Sequence, residues 1–406
     1  MVEARTSVDS EGDAQRAVSW LKLSLQLLAA AIGVLVVLWL VSRATPAQRA
    51  IATPVQSQPG VQNLDFGKPP TGVPLFFYSD SRQPSWLQAS DWTGRVRGTV
   101  RRAPGDGVFP LYASPDGSSV VVGQTVYQTN GHKVPAWQSG QGLPVWADDS
   151  LHMCGLAASA TPLGSGPGPQ VIQTLAIGHE PTIVGPVGSP GALTEPEIVA
   201  CSWRTNRLLL VQHAQPMGIE RYWLLGLPSG TPLFDQALSG TGATQYSQLV
   251  PSADARYVAV TVAQTKPTGP SVVSGAIRDA ATGTVLARLA DGVVVRRFSA
   301  DGQAVLAVDA RSSHPSIINW HTGKVLWRLS PRDLADPREL VMDAVVNPNR
   351  VGFVLAFRRP PSGSCPNGAE TCTIANATPD QELMLVGANG NQRIIAQHVA
   401  LVGTGY

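Results

Sequence analysis

Lysine is almost missing from this 406-residue chain. Lys22, Lys68, Lys133, Lys266 and Lys324 are the full set, and Asp, Glu, Lys and Arg together make only 14 % of it. With a net charge of +2 the chain generates no strong field, which argues against nucleic acid as a partner. No C-x-x-C occurs and no Cys/His group has zinc spacing, so a structural zinc site is not expected. The G-x-S-x-G nucleophile elbow is absent, as is an H-x-x-x-H pair. His132, His152, His179, His213, His314, His321 and His398 are scattered along the chain. No catalytic residue, metal ligand or cofactor is assigned.

What is plentiful is the material of tight turns: 40 Gly and 33 Pro without a short period. The four cysteines are Cys154, Cys201, Cys365 and Cys372. An even number suits two disulfides in an oxidising compartment, paired Cys154–Cys201 and Cys365–Cys372. Four buried free thiols remain the alternative.

One long apolar run stands apart. Residues 23–41 carry no charge, and at 1.5 Å per residue they span roughly 30 Å as a helix, the thickness of a bilayer core. Trp20 and Trp39 lie near its ends, where indole rings favour the interface. The run is longer than a signal-peptide core and follows a charge-mixed tail. The expected organisation is a cytoplasmic tail (1–19), an uncleaved transmembrane signal-anchor helix (20–41), a Pro/Gln/Ala-rich linker (42–72) and a large extracytoplasmic domain (73–406). Arg5, Arg16 and Lys22 before the span and Arg43 and Arg49 after it give little orientation bias, so the cysteines decide the orientation.

The large domain is repetitive. "HTGKVLWRL" from His321 has relatives in "ATGTVLARL" (Ala281), "PSGTPLFDQ" (Pro228), "TNGHKVPAW" (Thr129), "WTGRVRGTV" (Trp92) and "ANGNQRIIA" (Ala388), with a weaker copy, "GHEPTIVGPV", from Gly178. Each places a Gly before an extended run, as a hairpin turn with positive φ requires. A second series interleaves: "SPDGSSVVVG" (Ser114), "ADDSLHMCGLA" (Ala147), "SWRTNRLLLVQ" (Ser202), "SADARYVAVTV" (Ser252), "SADGQAVLAVD" (Ser299) and "NPNRVGFVLAF" (Asn347). These are Asp/Asn turns followed by strands.

The unit is therefore strand, Asp/Asn turn, strand, variable loop, strand, Gly turn, strand. Recurring every 40 to 65 residues or so, it matches a β-propeller blade. Seven such units predict an all-β, seven-bladed propeller behind the transmembrane helix, with "RIIAQHVALVG" completing the first blade. "SPDG", "SADG" and "INWHTGKVLWRL" resemble the repeats of the bacterial WD-repeat-like and pyrroloquinoline-quinone-like propeller superfamily. That resemblance implies the fold over residues 73–406 and no particular activity.

The Asp residues of the repeated turns (Asp116, Asp148, Asp149, Asp301) are expected to cap backbone rather than to catalyse. The Arg pairs 101/102, 296/297 and 358/359 are expected at solvated edges, because strand neighbours point to opposite sides. The longest insertions begin at Ser159, Thr265 and Arg358. The last is the expected partner-binding loop, with Arg358, Arg359, Asn367, Glu370, Asn376 and Asp380 as its candidate contacts and a Cys365–Cys372 bridge to pre-organise it. The expected function is a membrane-anchored, non-enzymatic protein-binding platform whose partner docks at the propeller rim. The alternative is a small-molecule or glycan sensor, or an enzyme, using the central funnel.

Overall fold

The computed structural model describes residues 73–80, 83–101, 111–122, 125–136, 141–158, 170–186, 196–213, 219–238, 245–264, 272–310, 312, 314–330, 341–349, 351–358 and 381–403, all within the compact unit Gly60–Tyr406. These residues are strand and turn throughout. β1 (Leu75–Asp80), β2 (Gln83–Asp91) and β3 (Val96–Arg101) come first among the described residues. Five four-stranded antiparallel sheets follow in sequence order. The first holds β4 (Leu111–Ala113), β5 (Ser119–Val122), β6 (Thr125–Gln128) and β7 (Lys133–Pro135). The second holds β8 (Gln141–Trp146), β9 (His152–Ala158), β10 (Gln170–Ala176) and β11 (Thr182–Pro186). The third holds β12 (Glu197–Ser202), β13 (Arg207–His213), β14 (Ile219–Gly226) and β15 (Thr231–Ala237). The fourth holds β16 (Gln245–Pro251), β17 (Tyr257–Gln264), β18 (Val272–Asp279) and β19 (Val285–Arg288). The fifth holds β20 (Val293–Phe298), β21 (Ala304–Asp309), β22 (Pro315–Asn319) and β23 (Lys324–Arg328). β24 (Val341–Val346), β25 (Gly352–Arg358), β26 (Gln381–Gly387) and β27 (Gln392–Val402) then join β1–β3 in one seven-stranded sheet.

The molecule is thus an all-β propeller, but the expected seven blades are not what forms. Among the described residues there are five four-stranded blades and one continuous seven-stranded sheet, in the order β24-β25-β26-β27-β1-β2-β3. The cause is β27. Its residues Gln392–Val399 pair with β26, and Val399–Val402 pair with β1. Beside the change of partner, His398 takes a positive φ of 59°, and the register on β26 shifts between Gln381 and Glu382. Counting Gly turns in the sequence assigns each its own blade, and a strand shared by two partners defeats that count.

The expected transmembrane helix at 20–41 lies outside the described residues, as do the tail and the linker up to residue 72. No helix among the described residues is long and apolar enough to cross a membrane.

Alternating strands bury one face against the sheet before and one against the sheet after. Apolar clusters accordingly fill the interfaces between successive sheets. Tyr112, Val121, Trp146 and Met153 join the first blade to the second. Cys154, Ile172, Cys201, Leu208 and Trp223 join the second to the third. Leu209, Tyr222, Val258 and Val260 join the third to the fourth. Ala259, Ile277, Val305 and Trp320 join the fourth to the fifth. Ile317, Trp327, Phe353 and Met384 carry the packing to the large sheet. Phe77, Leu87, Val120 and Tyr127 close it onto the first blade.

The connections sort by length. Those that follow even-numbered strands, as between β4 and β5 or β22 and β23, are all four or five residues long. Those that follow odd-numbered strands range from two residues (81–82) to 22 residues (359–380). Strands alternate in direction within each sheet, and Ala147, just after β8, makes a parallel bridge with Cys201 of β12. One face of the propeller therefore carries only uniform short turns, and the other carries all the variable connections.

Candidate functional site

On the short-turn face the Ser-x-Asp turns repeat one hydrogen-bond pattern. Ser114 Oγ donates to Asp116 Oδ1 (3.0 Å), and the same oxygen accepts from Ser118 N (2.8 Å). Ser252 and Asp254 repeat this at 2.7 Å, and Ser299 and Asp301 at 2.6 Å. Each serine oxygen also accepts a backbone N–H five residues on, from Ser119, Tyr257 or Ala304. The carboxylates of Asp116 and Asp301 are spent on closing turns, as a short polar side chain at that position favours.

The Ala147–Leu151 turn departs from the pattern, because its two aspartates act in opposite directions. Asp149 serves its own blade, accepting from Leu151 N (2.9 Å) and His152 N (3.1 Å) and bonding His152 Nδ1 (2.6 Å). Asp148 reaches the next blade, accepting from Ser202 Oγ (2.9 Å) and Trp203 N (2.8 Å). Burial pushes the Asp148 carboxyl upward against its bonds from Ser202, Arg204 and Trp203. Burial opposes ionisation of Asp149 too, but the His152 ring and the backbone donors outweigh it and hold that carboxyl low. The His152 imidazole lies flat on the Trp203 indole, centroids 4.0 Å apart and planes 8° off parallel.

Beneath this pair the fully buried Cys154 and Cys201 are joined, with Cα atoms 6.2 Å apart and a sequence separation of 47. The second and third blades are thus tied together by a sulfur bridge, by Asp148 and by a His–Trp stack. The stack could not be read from the sequence, because His152 and Trp203 sit in different copies of the repeated turn and nothing local marks them as neighbours.

Elsewhere the candidates separate. Arg297 pairs across blades with Asp343 (3.4 Å), and its neighbour Arg296 is exposed. His213 bonds Glu197 (2.7 Å) within the third blade, and His321 stacks on the adjacent Trp320 (3.6 Å). Among the described residues no three His, Cys, Asp or Glu side chains are grouped to hold a metal.

The variable face has its longest connection between β25 and β26. Arg359, Asn367, Glu370, Asn376, Asp380 and the Cys365–Cys372 pair lie outside the described residues. Arg358 is described as the last residue of β25, paired in register with Gln381. The root of that connection is firmly held. Gln381 is buried and its Oε1 accepts from Leu401 N (2.8 Å), while buried Glu382 accepts from Gln397 Nε2 (2.8 Å). β27 thereby fixes the end at which the 22-residue segment re-enters the sheet, and Arg358 at the other end is paired with Gln381.

No protein-family model matches the sequence, and neither does any curated protein. Solved structures do. TolB from Acinetobacter baumannii is similar at 16 % identity and a TM-score of 0.37, over 63 % of this chain and 64 % of that one, so just under two thirds of TolB is spanned. The β-propeller domain of Swd1 from Myceliophteria thermophila is similar at 12 % identity and 0.40, over 71 % and 94 %. A prolyl endopeptidase is similar at 11 % and 0.46, over 81 % of this chain and 50 % of its own. At such identities the likeness concerns the fold alone.

Proposed function

We propose that the protein is a non-enzymatic binding platform, anchored in the membrane by residues 20–41, with its propeller outside the cytoplasm. The observation that carries this is the asymmetry of the two faces. Every connection whose length varies leaves the same face, while the other is held to turns of four or five residues. Length variation on a rigid scaffold is how such folds build recognition surfaces. The carboxylates of Asp116, Asp149 and Asp301 on the described short-turn face are taken up by their own turns, and that of Asp148 by the next blade. The extracytoplasmic placement is supported by the Cys154–Cys201 bridge, which suits an oxidising compartment. The 359–380 connection is the proposed docking loop, because its root at Gln381 and Glu382 is locked.

Affinity capture from detergent-solubilised membranes tests this, using the full chain and a variant in which 359–380 is replaced by a short Gly/Ser link. Loss of specific partners with an unchanged thermal transition is expected. Identical partner sets would remove the loop from the function. Cleavage of the propeller by protease added to intact spheroplasts checks the orientation, and full protection would reverse it.

A further inference from the structure

Among the described residues the outermost strand of each sheet has one edge without a strand partner, a template for another extended chain. Those edges differ around the ring. On three consecutive blades proline interrupts them: Pro135 in β7, Pro186 in β11 with Pro181 just before it, and Pro232 in β15. A proline cannot donate, so a strand added there would meet a gap. On the remaining arc, β19, β23, the first half of β27 and β3 contain no proline.

Charge divides along the same line. β7, β11 and β15 carry one cation, Lys133, and one anion, Asp235. The proline-free edges carry Arg97, Arg101, Arg288, Lys324, Arg328 and Arg393, and no carboxylate. Arg97 is held by Asp91. Arg288, Lys324, Arg328 and Arg393 are exposed and make no ion pair among the described residues. The arc also displays apolar side chains: Leu286 is 45 % exposed and Val325 41 %. Beside β23 the Gly323 turn faces open space.

We infer that the edge of β23 accepts an extended acidic segment of a partner protein, which pairs as an added strand between Lys324 and Arg328 over Val325. A row of backbone N–H and C=O groups is matched only by another extended backbone, which neither a lipid headgroup nor a nucleic-acid duplex supplies. A second copy of the same edge would set Lys324 and Arg328 against their own kind, so the charges that select an acidic strand also exclude self-pairing. This shares with the platform reading only the claim that the protein binds proteins, and it uses a surface remote in sequence from the 359–380 loop.

The test is fluorescence anisotropy on the full chain with a labelled peptide of alternating Glu and Val. Saturable, salt-sensitive binding is expected, weakened about tenfold or more by K324E/R328E and little changed by R204E/R256E, an equal charge reversal on the short-turn face. The same peptide with a central proline should bind about as weakly as the K324E/R328E pair leaves the original. Equal loss in both double variants, undiminished binding of the proline peptide, or binding of duplex DNA or anionic vesicles but not the peptide would each overturn the inference. So would hydrogen exchange showing the outward amides of β23 already protected without peptide, because a segment of this chain would then occupy the edge. The loop-replaced variant separates the two proposals: it should lose its membrane partners and keep the peptide.

Discussion

Asp91 shows what one side chain does here. Its carboxylate closes the β2–β3 turn, accepting from Thr93 N (2.8 Å) and Arg95 N (3.1 Å), and it pairs with Arg97 Nε on β3, all with a side chain only 2 % exposed. Burial alone would raise its pKa, but the bonds from Thr93, Arg95 and Arg97 outweigh that and hold it below the usual 3.8. A carboxyl depressed in the folded state adds stability above its unfolded pKa and loses it as pH falls through the folded value. Asp91→Ala should therefore cost about 3 kcal/mol at pH 7 by urea titration, with the difference shrinking below pH ~3.8. A constant difference down to pH 2 would mean that packing, not charge, is lost. At this scale the turn-capping role of Asp116 and Asp301 was legible, because Ser-x-Asp recurs. The reach of Asp148 to the next blade was not, because no local pattern marks a bond to residues 202–204.

Among elements, the glycine hairpins were the most legible feature, and the structure refines what they do. All seven glycines of the series, Gly94, Gly131, Gly178, Gly230, Gly283, Gly323 and Gly390, have φ between 68° and 92°. Their surroundings differ. A Cβ on Gly283 would stand 2.7 Å from the Phe234 ring and 2.8 Å from Gln236 on the preceding blade, whereas one on Gly323 would meet nothing. Gly323→Ala should cost only the backbone strain, about 1 kcal/mol, and Gly283→Ala about 2–3 kcal/mol, because the β15 edge must also move. Chemical denaturation of the two variants side by side checks this, and equal losses would show that the inter-blade contact is slack. The grouping of hairpins into sheets was illegible for a related reason. That "RIIAQHVALVG" returns to the first strands was legible, and β27 does pair with β1, but nothing in its composition says that a single 11-residue strand would serve two neighbours and merge their sheets.

For the whole molecule, the repeat announced a ring of sheets, and the packing follows it interface by interface. The Cys154–Cys201 link closes a loop with a separation of 47 residues across the wall of that ring. By loop-closure entropy it should contribute about 4 kcal/mol. C154S/C201S should lower the denaturation midpoint without changing the far-UV spectrum, and reductant should lower the parent's midpoint by more than the variant's. If alkylation of the unfolded, unreduced parent labels both residues, the bridge is absent in the native protein. Both cysteines are buried, so the reagent has to be offered to the unfolded chain.

The double pairing of β27 also sets a timetable. β1 is the first of these strands to leave the ribosome and β27 the last, yet Phe77–Asp80 pair with Val399–Val402. At ordinary elongation rates β1 waits tens of seconds for its partner, with one edge open throughout. A nascent chain stalled anywhere before residue 399 is a row of blades that cannot shut. Closure is thus a report that synthesis has reached the final strand, and factors that shield β-edges on emerging chains would find their substrate here in the oldest part of the domain.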